Sequence, residues 1–263
     1  MRRIVHWPRT RRLVYLQANA TPEFWDSHWR AEGRPAPVSG DDPVLTVTRQ
    51  YLAAPARILE GGCGRGNKVK AMADAGFEAV GIDFAPESVA QAKRDYPRLD
   101  IRLGDVRSLP IPSASFDGYW SIGVIEHFWE GYASILREAA RVLRPSGFLF
   151  LTAPWFSPYR QRRASSGGYP SEDFVAAPES FYQFALHRRE VSEQLQAHGF
   201  RLLRWSGLAS AVCMREDMTT LRSPVQWLLG SRGSILKRAL RRAVLGGLNP
   251  YCGHSFLAVA RRP

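Results

Sequence analysis

Three glycines at alternate positions, Gly62, Gly64 and Gly66, follow the run Arg57-Ile58-Leu59-Glu60, and a second acid, Asp83, ends the apolar run 78–82. Glycine permits positive φ and close backbone approach. A helix starting just after such a turn presents unpaired N–H groups and a positive dipole end. That suits a phosphate or the carboxylate of an amino-acid moiety. Asp83 can accept hydrogen bonds from both hydroxyls of a ribose. Glu60 would repel a pyrophosphate, whereas an ammonium group can bond to it directly or through water. The pattern therefore suits an amino acid joined to a nucleoside.

Two other glycine turns compete. A Walker A loop needs Lys and then Ser or Thr directly after the last glycine, but Asn67 intervenes and Val69 follows Lys68. A dinucleotide fingerprint needs Gly or Ala at position 67, which weakens that reading. The pattern that fits is E-x-G-x-G-x-G. A tight strand–helix turn with no ligand is the plain alternative. Elsewhere, His127 is a candidate general base, or a structural residue. Its neighbour Glu126 is a candidate cap for the next helix. His187, Tyr159, Tyr169 and Tyr182 can touch substrate or simply pack. The three cysteines, Cys63, Cys213 and Cys252, make no CxxC pair or cluster with histidine. Neither a disulfide framework nor a metal site is expected.

These residues need elements to position them. Strands are predicted at 57–61, 78–82, 100–103, 116–122 and 147–153, and helices at 67–75, 86–95 and 130–143, with Gly76 and 144–147 as helix stops. Strand–helix alternation means a parallel sheet with helices on both faces, wound right-handed into a doubly wound α/β fold. A helix at 188–198 and a strand at 200–205 resume the rhythm, and Ser255–Ala260 closes it. The chain then reads as one domain. It comprises a largely irregular N-terminal cap at 1–56, a cofactor-binding core at 57–153, a lid at 154–187, more core at 188–205, an insertion at 206–253 and a last strand at 254–263. Within the cap, Thr21-Pro22-Glu23 followed by Phe24-Trp25-Asp26 predicts a capped amphipathic helix.

Of 263 residues, 45% are hydrophobic and 23% charged, an ordinary globular composition. No apolar stretch approaches the roughly 18 residues that span a bilayer. The N-terminus is arginine-rich, but its apolar patch is too short for a signal peptide, so a cytoplasmic location is expected. A net charge of +12 favours an anionic partner or a basic, solvated surface. Over 234–245, Ile235, Leu236, Ala239, Leu240, Ala243 and Val244 share one helical face and Lys237, Arg238, Arg241 and Arg242 the other. The favoured expectation is that the apolar face packs on the domain. The alternative is a helix lying on an anionic membrane, a peripheral contact that Trp227-Leu228-Leu229 would enlarge. No compact RNA-binding module is visible, which argues against nucleic acid.

From Arg57 to Ala153 the residues resemble class I S-adenosylmethionine-dependent methyltransferases of the broad "type 11" sort. Glu60-Gly61-Gly62-Cys63-Gly64-Arg65-Gly66 looks like the family's first motif, and Gly81-Ile82-Asp83 like its ribose-binding strand end. Gly104-Asp105-Val106 looks like the adenine-side segment, and Ser115 to His127 like the fourth strand with its active-site loop. The resemblance implies a Rossmann-like, seven-stranded, mostly parallel sheet whose antiparallel last strand lies beside the sixth, with Ser255–Ala260 in that place. It also implies S-adenosyl-L-methionine as cofactor, held by Glu60, Gly62, Cys63, Gly64, Gly66, Asp83, Phe84, Asp105, Val106 and Ser121. The Phe24-Trp25-Asp26 helix is similar to one that packs over the cofactor in such enzymes. Ile122-Gly123-Val124-Ile125 stands where amino-methylating enzymes of DNA bases and of protein glutamine carry Asn-Pro-Pro-Tyr. The expectation is methyl transfer to a small molecule or a glycan- or lipid-linked acceptor at oxygen, with His127 as base. An NAD(P)-dependent oxidoreductase and a non-catalytic binding protein are the alternatives.

Overall fold

The apolar runs predicted as strands form the centre of the computed structural model, which describes residues 3–32, 38, 40, 42–218 and 235–263. Strands β3 (Arg57–Gly61), β4 (Glu78–Asp83), β5 (Asp100–Leu103), β6 (Phe116–Ile122) and β7 (Leu143–Pro154) pair in parallel. Strand β10 (Ser255–Arg261) lies antiparallel between β7 and β9 (Arg201–Leu208). The resulting order is β5-β4-β3-β6-β7-β10-β9, seven strands with an antiparallel last strand, as expected.

Alternate side chains of the central strands feed two cores. Leu59, Tyr119, Leu149, Leu151, Phe256 and Ala258 fall in one cluster, and Ile58, Trp120, Phe150, Leu257 and Val259 in the other. This is the period-two pattern of a sheet covered on both faces. The first core is closed by α5 (Ala133–Val142) and α7 (Arg188–Ala197), which contribute Ile135, Leu136, Val191 and Leu195. The second is closed by α2 (Pro43–Tyr51) and α3 (Asn67–Asp74). Asp42 caps α2 by accepting from the Val44 N–H, and Pro43 sits in its first turn. The remaining helix of the cofactor half is α4 (Pro86–Asp95).

Several expectations are corrected. Residues 1–56 are not largely irregular. They contain β1 (Arg3–Trp7), β2 (Arg12–Leu16), the predicted helix α1 (Pro22–Glu32) and α2. The span 154–187, expected as a lid, contains α6 (Pro158–Ser165) and β8 (Phe181–Ala185). β8 pairs antiparallel with β2, making a second sheet in the order β1-β2-β8. The helix expected at 130–143 begins at Ala133, and β7 follows at once from Leu143 without a separate exit turn.

The insertion after β9 forms α8 (Ser210–Asp217) and α9 (Ile235–Cys252). Trp227-Leu228-Leu229, and the side chains of residues 235–238 and 242, lie outside the described residues. Where α9 is described, the favoured expectation fails. Leu245 and Leu248 pack on Cys213 and Met214 of α8, while Leu240 stays exposed. The fully buried Arg160 of α6 ties this unit to the sheet. Its Nε donates to Asp217 Oδ2 at 2.8 Å, and its Nη1 donates to the carbonyls of Trp155 and His254, each at 3.1 Å. Tyr169 donates to Asp217 Oδ1 at 2.7 Å, so a buried charge is matched on both sides.

Candidate functional site

The strand order reverses between β3 and β6, and the loops leaving the carboxyl ends of β3, β4, β5 and β6 converge there. Such a switch point is where doubly wound sheets bind ligands. A cavity of about 280 Å³ opens at this place. Of the predicted site residues, Gly62, Asp83, Phe84, Asp105, Val106 and His127 line it. Glu60, Cys63, Gly64, Gly66 and Ser121 do not.

The turn after β3 is built to be rigid. Its amides bond inward: Gly62 and Cys63 donate to the Ile82 carbonyl, at 2.8 and 3.0 Å. The Gly64 N–H donates to Asp83 Oδ2 at 2.7 Å, and the Ala85 N–H to Asp83 Oδ1 at 2.9 Å. The turn's amides are therefore largely spent on the fold, which corrects the picture of an open anion cradle. Gly62 has φ +76°, and a Cβ there would meet Val124 Cγ2 at 2.3 Å, so both backbone and space demand glycine. Cys63 turns its side chain away from the cavity into the cluster of Val69, Val89, Ala92 and Ile101.

Buried acids surround this turn. Burial pushes the Asp83 carboxyl up, against the bonds from Ala85, Gly64 and Phe84. Glu60 is 3% exposed and is pushed up to about 8 by burial, which the Lys68 ammonium and the Val69 N–H only partly oppose. Its Oε2 has no hydrogen-bond partner, and neither has the fully buried Ser121 hydroxyl. Orphaned buried polar atoms call for a partner. Together with the spare lone pairs of Asp83, they fit a ligand that carries an ammonium and a ribose.

The opposite wall comes from α1 and the segment after β6. Trp25 and Trp29, one helical turn apart on α1, both reach the cavity, with Phe128 and Tyr182. Asp26 between them accepts from the Ser88 N–H at 2.8 Å and the Ser88 hydroxyl at 2.7 Å, capping α4 and latching α1 over the site. His127 packs edge-on to Trp25, ring centroids 5.0 Å apart. Its Nδ1 lies 2.7 Å from the Tyr182 carbonyl, which can only accept. In the neutral ring Nδ1 therefore carries the proton, and Nε2 is left without one. Burial lowers the His127 pKa to about 4, although backbone bonds to Tyr182 and Gly123 pull it upward. Glu126 Oε1 is 4.0 Å from Nε2. Its Oε2 has no partner, and burial pushes the Glu126 carboxyl up to about 8. Glu126 is part of this wall and does not cap α5, whose first turn has no side-chain cap.

Asp105 faces the cavity, but its carboxylate is also held by Arg107, with Nη2 to Oδ2 at 2.6 Å. Burial raises its pKa, yet the Arg107 bonds win and hold it below the usual carboxylate range. Among the other candidates, Tyr182 lines the cavity. His187 caps α7 by accepting from the Arg189 N–H, while Tyr159 and Tyr169 bond to Asp217. Gln183, next to Tyr182, also lines the site, as do Trp29 and Phe128, which were not singled out in the sequence. The one usable signal was the Trp25–Trp29 spacing. Among the described residues, no group of three His, Cys, Asp or Glu side chains is placed to hold a metal ion.

Comparison with known proteins agrees with this geometry. A family model described as a methyltransferase domain matches residues 59–151. A probable S-adenosylmethionine-dependent methyltransferase of Mycolicibacterium smegmatis is 32% identical over 189 residues, covering 71% of this chain and 64% of that protein. One from Mycobacterium tuberculosis is 38% identical, covering 72% and 61%. The chain thus spans less than two thirds of the length of these relatives. A ubiquinone biosynthesis O-methyltransferase of Xanthomonas axonopodis is 28% identical, covering 76% of this chain and 86% of that one. Among solved structures, an S-adenosylmethionine-dependent methyltransferase of Methanosarcina mazei matches with a TM-score of 0.56 at 16% identity, covering 82% of this chain and 96% of that one. At that identity the likeness shows the fold. The sheet order, the glycine turn with its acids and these relatives together place the chain in the class I S-adenosylmethionine-dependent methyltransferase family, whose cofactor is S-adenosylmethionine.

Proposed function

We propose that the chain methylates a hydroxyl group of a small-molecule or glycan- or lipid-linked acceptor, with His127 as general base, in a cytoplasmic setting. The observation that carries this reading is His127 itself, held by its Nδ1 on the Tyr182 carbonyl in an aromatic-lined cavity that Asp83 shares. S-adenosylmethionine, when bound, supplies a methyl group on a positively charged sulfonium. Asp83 would hold the ribose hydroxyls, Glu60 the ammonium, and Phe84, Asp105 and Val106 the adenine side. Gly62, Cys63, Gly64, Gly66 and Ser121 shape the turn and the wall behind it. With a leaving group already activated, the protein's work is positioning and water exclusion. Trp25, Trp29 and Phe128 exclude water, and the apolar wall suits an acceptor with a ring or alkyl body. His127 Nε2 takes the hydroxyl proton, and its low pKa keeps it unprotonated across the neutral range. The relatives are methyltransferases, which leaves the oxidoreductase alternative without support.

The test is transfer of a labelled methyl group to a panel of phenolic, sugar and amine acceptors. Asp83→Ala is expected to lose cofactor affinity, measured by calorimetry. Unchanged affinity would sink the site assignment. His127→Ala is expected to keep cofactor affinity and lose about 10²–10⁴ in turnover. Full turnover by that variant, or transfer to amines alone, overturns the role of base.

A further inference from the structure

Helix α9 is seated by one face and shows solvent an apolar one. Leu245, Leu248 and Cys252 pack against α8, and the Asn249 side chain accepts from the Ser210 N–H at 3.0 Å. Turned from that seat, Leu240, Ala243, Gly247 and Tyr251 recur every three or four residues, so they form one stripe, whose Tyr251 end also packs edge-on to Tyr159 of α6, ring centroids 6.1 Å apart. All four are exposed, Leu240 at 46% and Tyr251 at 43%. Solvent-facing helices ordinarily turn polar residues outward. The stripe is not matched by acid anywhere along the helix: its 18 residues contain Lys237, Arg238, Arg241 and Arg242 and no Asp or Glu. The neighbouring helices also carry exposed arginines, Arg162 on α6 and Arg215 on α8. No described helix is long and apolar enough to cross a membrane.

We infer that α9 is an interfacial helix whose outward stripe of Leu240, Ala243, Gly247 and Tyr251 docks on an anionic lipid bilayer. An apolar face with basic residues on the same helix supplies two attractions, insertion below the headgroups and attraction to their charge. The short, small-residue stripe gives shallow insertion, so binding depends on both. A protein surface or a second copy of this chain would need no such excess of positive charge, and the net charge of +12 strengthens attraction to an anionic sheet. Docking is independent of the chemistry at His127, so either can fail without the other.

The test is flotation of the whole chain with vesicles of equal parts phosphatidylcholine and phosphatidylglycerol, against pure phosphatidylcholine, at low and high salt. Binding is expected to the anionic vesicles only and to weaken at high salt. Leu240→Asp and Tyr251→Asp are each expected to lower it about tenfold. Leu240→Trp should raise it, since tryptophan favours the interface. Unchanged melting temperature and cofactor affinity in the Asp variants exclude misfolding as the cause. The proposal is overturned if the wild-type chain ignores anionic vesicles, or if the Asp variants bind as well as it does. It also falls if light scattering shows a dimer that Leu240→Asp dissociates, or if the stripe variants lose RNA binding rather than vesicle binding.

Discussion

Glu60, Glu126 and His127 are all pushed toward neutrality by burial, which disfavours the charged form of either sign. The two carboxyls rise to about 8 from 4.5, and the imidazole falls to about 4 from 6.5. The linkage follows directly. Each carboxyl contributes stability that is full below its unfolded pKa and is lost as pH rises through about 8. His127 contributes stability that is present above 6.5 and lost as pH falls through about 4. Without ligand, the melting temperature should therefore fall between about pH 5 and 8, most steeply above 6.5 where the opposing His127 contribution is complete, and level off beyond 8. Glu126→Gln should flatten that alkaline fall by about 1 kcal/mol or more. An alkaline arm as steep in the variant as in the wild type would refute this origin. At this scale the sequence was readable where backbone chemistry demands a residue type, as at Gly62 and Asp83. It was not readable at Phe128, whose place in the wall follows from packing alone.

Among the elements, α1 is the one that decides access to the site. It reaches the cofactor half through the Asp26 carboxylate on the first turn of α4, through a bond from Arg65 to the Trp29 carbonyl at 3.2 Å, and through the Arg30–Glu87 pair. Asp26→Ala removes a helix cap, typically about 1 kcal/mol. Its expected effect is weaker cofactor binding with faster amide exchange over 22–32, while the central strands keep their protection. Exchange that rises uniformly would show that Asp26 serves the whole fold instead. The long parallel strands were legible because apolar runs bounded by glycine and helix signals have few other homes. β1, β2 and β8 were not, because short strands are defined by their partners, and the partner of Val14 is Phe184, far along the chain. α2 does carry a sequence signal, the cap Asp42-Pro43 before Val44 and Leu45.

For the molecule as a whole, the Arg160–Asp217 pair is the joint between the sheet and the α8–α9 unit. Removing one partner of a buried pair strands the other's charge, a loss of about 3–5 kcal/mol. Asp217→Ala should lower the melting temperature by more than any surface charge change, and Arg160→Met with Asp217→Leu should recover part of the loss. A double variant that melts no higher than the single one would place the energy elsewhere. The doubly wound architecture and its cofactor half were visible in the sequence as a rhythm. This joint was not, because it depends on two distant segments meeting in space.

The three thiols record a further property. Cys63 lies beneath the glycine turn, so close to Gly81 that a Cβ there would stand 2.8 Å from its Sγ, while Cys213 and Cys252 sit within the α8–α9 unit. All three are buried. An alkylating reagent can reach each one only when its own region opens, so the chain carries two internal clocks for local opening. Cofactor binding should slow the first clock and leave the second running at its own rate.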